Sequence, residues 1–187
     1  MTIYTKKGDA GETTIFQKGR GKIIMISKAS ALIDVIGALD EANSYIGVIA
    51  SYLKSSDQKI KNKVYLSRIF HIQRNLFAIS SALAGAKISL KSLEVKMFEK
   101  EMDRMDKDLP VLSNFILPGG SPVGAQLMYA RTLVRKAERK IVLLTQKSKI
   151  ESQKIILIYM NRLSDYLFVL ARRVNIESKV KEIKWKT

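Results

Sequence analysis

Cysteine is absent from this 187-residue chain and histidine occurs once, at His71. The first absence excludes disulfides, thiolate nucleophiles and Cys-ligated zinc or iron–sulfur centres. The second excludes a multi-histidine metal site, and the Glu-x-x-His signature of ferritin-like bundles is missing as well. Only three prolines interrupt the chain, which leaves room for long helices. Acidic residues are scarce, 17 against 33 Lys plus Arg for a formal charge of +16. The surplus implies attraction to anions, whether nucleic acid, acidic lipid or phosphorylated small molecules. No run reaches the roughly 18 uninterrupted apolar residues of a membrane span, and no hydrophobic stretch follows the charges of the first residues as a secretory signal would require. A soluble cytoplasmic protein is expected. Neither G-x-x-x-x-G-K-[ST] nor G-x-G-x-x-G occurs, so P-loop and Rossmann mechanics have no support.

What is present is a 47% hydrophobic composition, enough to bury a core in one domain covering 1–187. The first 26 residues hold Gly8, Gly11, Gly19 and Gly21 among lysines, a composition that favours an ordered loop over a helix. Residues 27–175 then read as five helices. The first starts near a Ser27 cap and carries Val35, Leu39, Ile46 and Ile49 at helical spacing. The second follows a possible Asp57 cap, with Val64, Leu66, Ile69, Ile72, Leu76 and Ile79 on a broad apolar face. The third spans about 92–108 and stops before Pro110. The fourth starts at Ser121-Pro122 and the fifth runs over about 152–175. With no alternating strand pattern, the expected fold is an all-α five-helix bundle with an N-terminal glycine-containing loop. The lysine-rich tail, 176–187, reads as mobile.

Candidate chemistry concentrates on the fourth and fifth helices. At about 100° per residue, Arg131, Arg135 and Glu138 share a stripe at the margin of an apolar face formed by Ala130, Val134, Ala137 and Ile141. Lys136 and Lys140 point to the opposite side, as solvated charges do. A solvated i,i+4 pattern explains the arginine stripe equally well on spacing alone. On the fifth helix Asn161, Asp165, Phe168 and Arg172 line up along an otherwise apolar surface. Such polar groups need partners: another polar stripe, a ligand, a subunit interface, or an internal network. Asp40 and Glu41, between Gly37 and Gly47 on the first helix, are either exposed acids or partners for a fourth-helix arginine. The segment from Thr5 to Thr14 combines flexible backbone, hydroxyls and cations, the ingredients for wrapping a polyphosphate, although a plain turn has the same composition.

Five segments in order, Tyr4-Thr5-Lys6-Lys7-Gly8-Asp9-Ala10-Gly11, Gly37-Ala38-Leu39-Asp40-Glu41, Phe115-Ile116-Leu117-Pro118-Gly119-Gly120, Ala130-Arg131 through Arg135-Lys136-Ala137-Glu138-Arg139, and Asn161-Arg162-Leu163-Ser164-Asp165, resemble the propanediol-utilisation type of ATP:cob(I)alamin adenosyltransferase. The match covers roughly 2–173. The resemblance implies a homotrimer with active sites between subunits, where the N-terminal loop closes over ATP. It implies an ATP-binding set of Thr5, Lys6, Lys7, Gly8, Thr13, Thr14, Lys28, Arg135, Lys136, Glu138, Arg139 and Asn161. Asp40 and Arg131 match a pair that bridges subunits and, with Arg135, form the catalytic set. Phe115 and Phe168 fall on the corrin side.

The implied co-substrate is ATP with Mg²⁺, and the substrate is cob(I)alamin. No protein-built metal site is expected. A cobalamin reductase and an adenosylcobalamin-dependent enzyme are the implied partners, with neither nucleic acid nor membrane. Two departures stand out: Lys136 replaces the second arginine of Arg-Arg-Ala-Glu-Arg, losing its planar fork, and Met128 stands where the family commonly has histidine. The segment before Lys28 is longer than the family's, so Lys28 is placed by its distance to Gly37. The rival reading is a basic helical module that binds RNA or DNA, which has the charge but no recognisable motif; a purely structural helical oligomer is the third.

Overall fold

A computed structural model of the chain describes residues 4, 6–17, 22–55, 59–146 and 152–185. Its elements are β1 (Glu12–Gln17), β2 (Lys22–Ser27), α1 (Ala31–Ser55), α2 (Lys59–Leu83), α3 (Ser92–Asp106), α4 (Pro122–Thr145) and α5 (Ser152–Glu177). The five expected helices are therefore present, but the all-helical expectation is corrected by a small antiparallel sheet. β1 and β2 pair from Glu12 opposite Ser27 to Gln17 opposite Lys22. Thr13, Thr14, Ile15 and Phe16 face Ile26, Met25, Ile24 and Ile23 in turn, and the β-branched and aromatic residues among them suit a pleated ladder better than a loop.

Ser27, expected to cap α1, closes β2 instead and its hydroxyl accepts from the Ala29 amide at 3.1 Å. The helix begins four residues later. Asp57, the expected cap of α2, lies outside the described residues. α4 starts where its sequence signals put it: Ser121 Oγ accepts from the Gly124 amide at 3.1 Å, with Pro122 in the first turn.

α4 packs against α1 on one side and α5 on the other, α2 lies on α1, and α3 lies on α5. The core follows the periodicity of the sequence: Leu39, Ile46 and Ile49 of α1 meet Ala130, Val134, Ala137 and Ile141 of α4, all fully buried. Ile69, Ile72, Leu76 and Ile79 close it from α2, and Leu163, Leu167 and Leu170 from α5. Val64 departs from the expected apolar face and is exposed, one turn before the buried stretch begins. Under α3 an aromatic cluster forms as the Phe98 ring sits 5.2 Å from Tyr159 and 4.7 Å from Tyr166.

The tail is the second correction. α5 continues to Glu177, and the chain then turns back. The Leu117 amide donates to Ile183 O at 2.8 Å, and the Trp185 amide donates to Phe115 O at 2.8 Å. The described tail is thus a short strand alongside the loop that carries Phe115, with Ile116 bridged to Lys184. None of the described helices is long and apolar enough to cross a membrane.

Candidate functional site

Three groups of side chains result from this arrangement. The first surrounds the N-terminal turn. Lys6 has a left-handed backbone (φ 57°), the Asp9 amide donates to Lys6 O at 3.3 Å, and the Gly11 amide donates to Gly8 O at 3.2 Å. Lys28, just after the hairpin, ties this turn down twice: its amide donates to Gly11 O at 2.8 Å and its Nζ to Gly8 O at 2.7 Å. Lys6, Lys7, Gly8 and Lys28 are thereby gathered in one place, with Thr13 and Thr14 at the start of β1. Thr5 lies outside the described residues.

The second group is the α4–α5 stripe. Asn161 Nδ2 donates to Glu138 Oε1 at 3.3 Å, joining the two helices across their polar edges. Arg135 and Arg139 extend from the same stretch of α4 and are exposed. Arg131 is half-buried, and its pKa is pushed down by burial and then by the positive charge of Arg135, with Asp165 opposing. Burial is the larger of the two lowering causes, so a charged group brought against Arg131 would meet a guanidinium already partly stripped of water.

The third group is a cavity of about 370 Å³ lined by Leu112, Phe115, Met128, Arg131, Asp165 and Phe168, among others. The Arg131 guanidinium lies over the Phe168 ring, 5.5 Å from its centroid. Phe115 and Phe168, distant in sequence, therefore line one pocket, and Arg131 joins that pocket to the cationic stripe. Asp165 was legible as part of the fifth-helix stripe, without an assigned role; here it lines the pocket and accepts from Arg162 Nη1 at 3.1 Å.

Several expected pairings take a different form. Glu41 meets a lysine, not an arginine: Lys136 Nζ donates to Glu41 Oε2 at 2.6 Å, and Lys140, one turn further along α4, pairs with Asp34, two turns back along α1. Both lysines lie on the solvated side of α4 away from the Arg131 stripe, as their spacing implies, and the edge of α1 supplies their acidic partners there. The Glu41 hydrogen bond and charge hold the Lys136 pKa above its ordinary value. Asp40 is exposed and makes no ion pair among the described residues, so the chain does not itself bring Asp40 to Arg131. Gly37 has open space where a Cβ would stand, whereas at Gly47 a Cβ would come within 3.1 Å of Gln73 Nε2. No hydrogen bond or ion pair among the described residues links the Lys28 group to the α4–α5 stripe. Sequence reasoning missed what fixes the Phe115 loop, namely the returning tail, Asn175 and the partners of Arg172.

The family model described as cobalamin adenosyltransferase matches residues 3–174. A corrinoid adenosyltransferase of Bacillus subtilis is 34% identical, over 99% of this chain and 92% of that protein. The corrinoid adenosyltransferase PduO of Citrobacter freundii is 33% identical over 92% of this chain, which spans about half of that protein (49%). Among solved structures, a PduO-type ATP:corrinoid adenosyltransferase from Lactobacillus reuteri, a phenylalanine-to-histidine variant complexed with cobalamin and ATP, superposes with a TM-score of 0.86 at 30% identity, covering 100% of this chain and 97% of that one. A match that runs through hairpin, stripe and pocket alike has one reading: the chain belongs to the cobalamin adenosyltransferase family.

Proposed function

We propose that this chain transfers the 5′-deoxyadenosyl group of ATP to the cobalt of cob(I)alamin, giving adenosylcobalamin and triphosphate. The observation that carries the reading is the junction at Arg131, where a cationic stripe able to hold a polyphosphate runs into an aromatic-walled pocket able to hold the edge of a corrin. In the reaction a cobalt–carbon bond forms as the bond between C5′ and the triphosphate oxygen breaks. Both electrons of the new bond come from cobalt(I), and the leaving oxygen keeps the pair of the old one. A nucleophile this strong requires no serine, cysteine or histidine base from the protein, in keeping with the composition.

The protein's work is positioning and electrostatics. Lys6, Lys28, Arg135 and Arg139 would stabilise charge on the departing triphosphate, while the Gly8 turn with Lys7, Thr5, Thr13 and Thr14 wraps the nucleotide. Glu138, held by Asn161, orients the adenosine end. Lys136 would act on the nucleotide only by leaving Glu41, so its part in this set is chiefly to brace α4 against α1. Among the described residues no group of three or more His, Asp or Glu side chains could hold a metal. Mg²⁺ would accordingly come with the nucleotide and would supply charge neutralisation to its phosphates, beside Lys6, Lys28, Arg135 and Arg139. Phe115 and Phe168 bound the corrin side, and by crowding its lower face Phe115 favours loss of the axial base and so eases reduction from cobalt(II) to cobalt(I).

The assembly that completes this site is a homotrimer. Supporting it are Asp40, exposed and without an ion pair among the described residues, the open Gly37 on the same helix, and a hairpin that leaves Phe16, Ile23 and Met25 exposed. A reductase that delivers cobalt(I) and an enzyme that consumes adenosylcobalamin are the partners this chemistry calls for. The test mixes the protein, ATP, Mg²⁺ and chemically reduced cobalamin. A light-sensitive alkylcobalamin should form with release of triphosphate, and its absence would overturn the reading.

A further inference from the structure

Phe115 is 79% exposed at the tip of a segment with little hydrophobic anchorage of its own, yet that segment is fixed at three points. At its start, Arg172 Nη2 donates to Pro110 O at 2.8 Å. At its end, Asn175 Nδ2 donates to Gly119 O at 3.0 Å, while Asn175 Oδ1 accepts from the Ser121 amide at 2.9 Å and from Ser121 Oγ at 3.0 Å. The fit is close enough that a Cβ on Gly120, whose φ is +114°, would fall 2.2 Å from Asn175 Nδ2. In the middle, the tail strand holds Phe115 and Leu117 through backbone hydrogen bonds from Trp185 and to Ile183.

The same arginine secures that strand. Arg172 is 4% exposed and donates to Glu182 from Nε at 2.8 Å and from Nη2 at 3.2 Å. A buried guanidinium of this kind is tolerable only with its acceptors in place, so one side chain on α5 couples the loop to the tail. Arg172 and Asn175 lie one turn apart on the helix that also presents Phe168 to the pocket. Both walls of the pocket are therefore referenced to α5.

We propose that Arg172, through Glu182 and the returning tail, and Asn175 are positioning residues that hold Phe115 in place against the corrin, so that the C-terminal segment is a working part of the corrinoid site. The inference rests on the reading that Phe115 faces the corrin. An exposed aromatic on a slack loop would spend binding energy on being ordered; a loop held in advance does not.

Trp185 is the only tryptophan in the chain and sits on the strap, so its fluorescence reports whether the tail is docked. Three full-length variants decide the matter: Glu182→Gln, Arg172→Met and Phe115→Ala. Glu182→Gln lies beyond the last helix and tests the strap even if Arg172→Met fails to fold. Glu182→Gln and Arg172→Met should make Trp185 more accessible to acrylamide and raise KM for cob(I)alamin about tenfold, with KM for ATP changed less than about twofold, and should add little to Phe115→Ala, since contacts acting through one group are not additive. A released tryptophan with unchanged corrinoid KM, effects that add in full to Phe115→Ala, or a quenching profile that neither variant alters would each overturn the proposal. If Phe115→Ala itself leaves corrinoid kinetics unchanged, the placement of Phe115 fails, and the positioning role fails with it. Loss in Phe115→Ala alone, with the other two normal, keeps that placement and removes only the strap's role.

Discussion

Arg135 is exposed and makes no ion pair among the described residues, and its positive charge acts on Arg131 one turn away. A side chain in that position contributes nothing to folding that a neutral one would not, so its value must lie in what it binds. Arg135→Ala should lower turnover at least tenfold, about 1.4 kcal/mol of transition-state stabilisation, while the urea midpoint moves by no more than about 0.5 kcal/mol equivalent, as for surface changes generally. Unchanged turnover would remove Arg135 from the site. Its stripe was legible because helical periodicity alone assigns residues to faces. What periodicity does not reveal is which helix lies opposite each face. Lys136 and Lys140 do lie on the solvated side that periodicity assigns them, but that Glu41 and Asp34 of α1 meet them there is not written in the spacing of α4. Arg172 was likewise legible as a polar residue in need of a partner, but Glu182, in a tail with no periodicity, gave no sign of being that partner.

Polar side chains also link α2, α3 and α5 at the edge of the apolar core, and one of these links gives the bundle a pH dependence. Glu94 of α3 accepts from Asn75 Nδ2 at 2.9 Å and pairs with His71, both on α2. Partial burial works to raise its pKa, but the hydrogen bonds from His71 and Asn75, with the charges of His71 and Arg68, outweigh it, so the folded-state value is lowered. A carboxylate with a depressed folded pKa gives stability that is present above its unfolded pKa and lost as pH falls through the folded value. Glu94→Gln should therefore cost about 1 kcal/mol near neutrality, the size of one such hydrogen-bonded charge, and progressively less in acid. Urea titrations of both proteins between about pH 7 and pH 3 span the carboxylate range and check it; a difference that does not shrink with acid would count against the clamp. The elements themselves were readable where local chemistry is strong, as at Ser121-Pro122. The hairpin was missed because glycine and lysine content dominated the reading of 1–26, although Thr13-Thr14-Ile15-Phe16 and Ile23-Ile24-Met25-Ile26 have strand-forming composition.

For the molecule as a whole, the +16 charge divides between a few cations at the proposed site and many on the surface, and the proposed inter-subunit site makes a prediction about Asp40, which has no ion pair among the described residues. If Asp40 of one subunit completes the site that carries Arg135 of its neighbour, the two residues never need to be intact in the same chain. Two variants that are each strongly impaired, Asp40→Ala and Arg135→Ala, should then rescue one another when unfolded together and refolded as a mixture. With equal amounts and random assortment round a cyclic trimer, about one interface in four receives both native residues, so activity should return to about a quarter of the wild-type level. The variants refolded separately and then combined without exchange should stay strongly impaired. No recovery in the mixture, with mixed trimers demonstrated by mass, would mean that Asp40 and Arg135 serve the same chain's site, and the inter-subunit arrangement would fall while the assignment of each residue to catalysis remained.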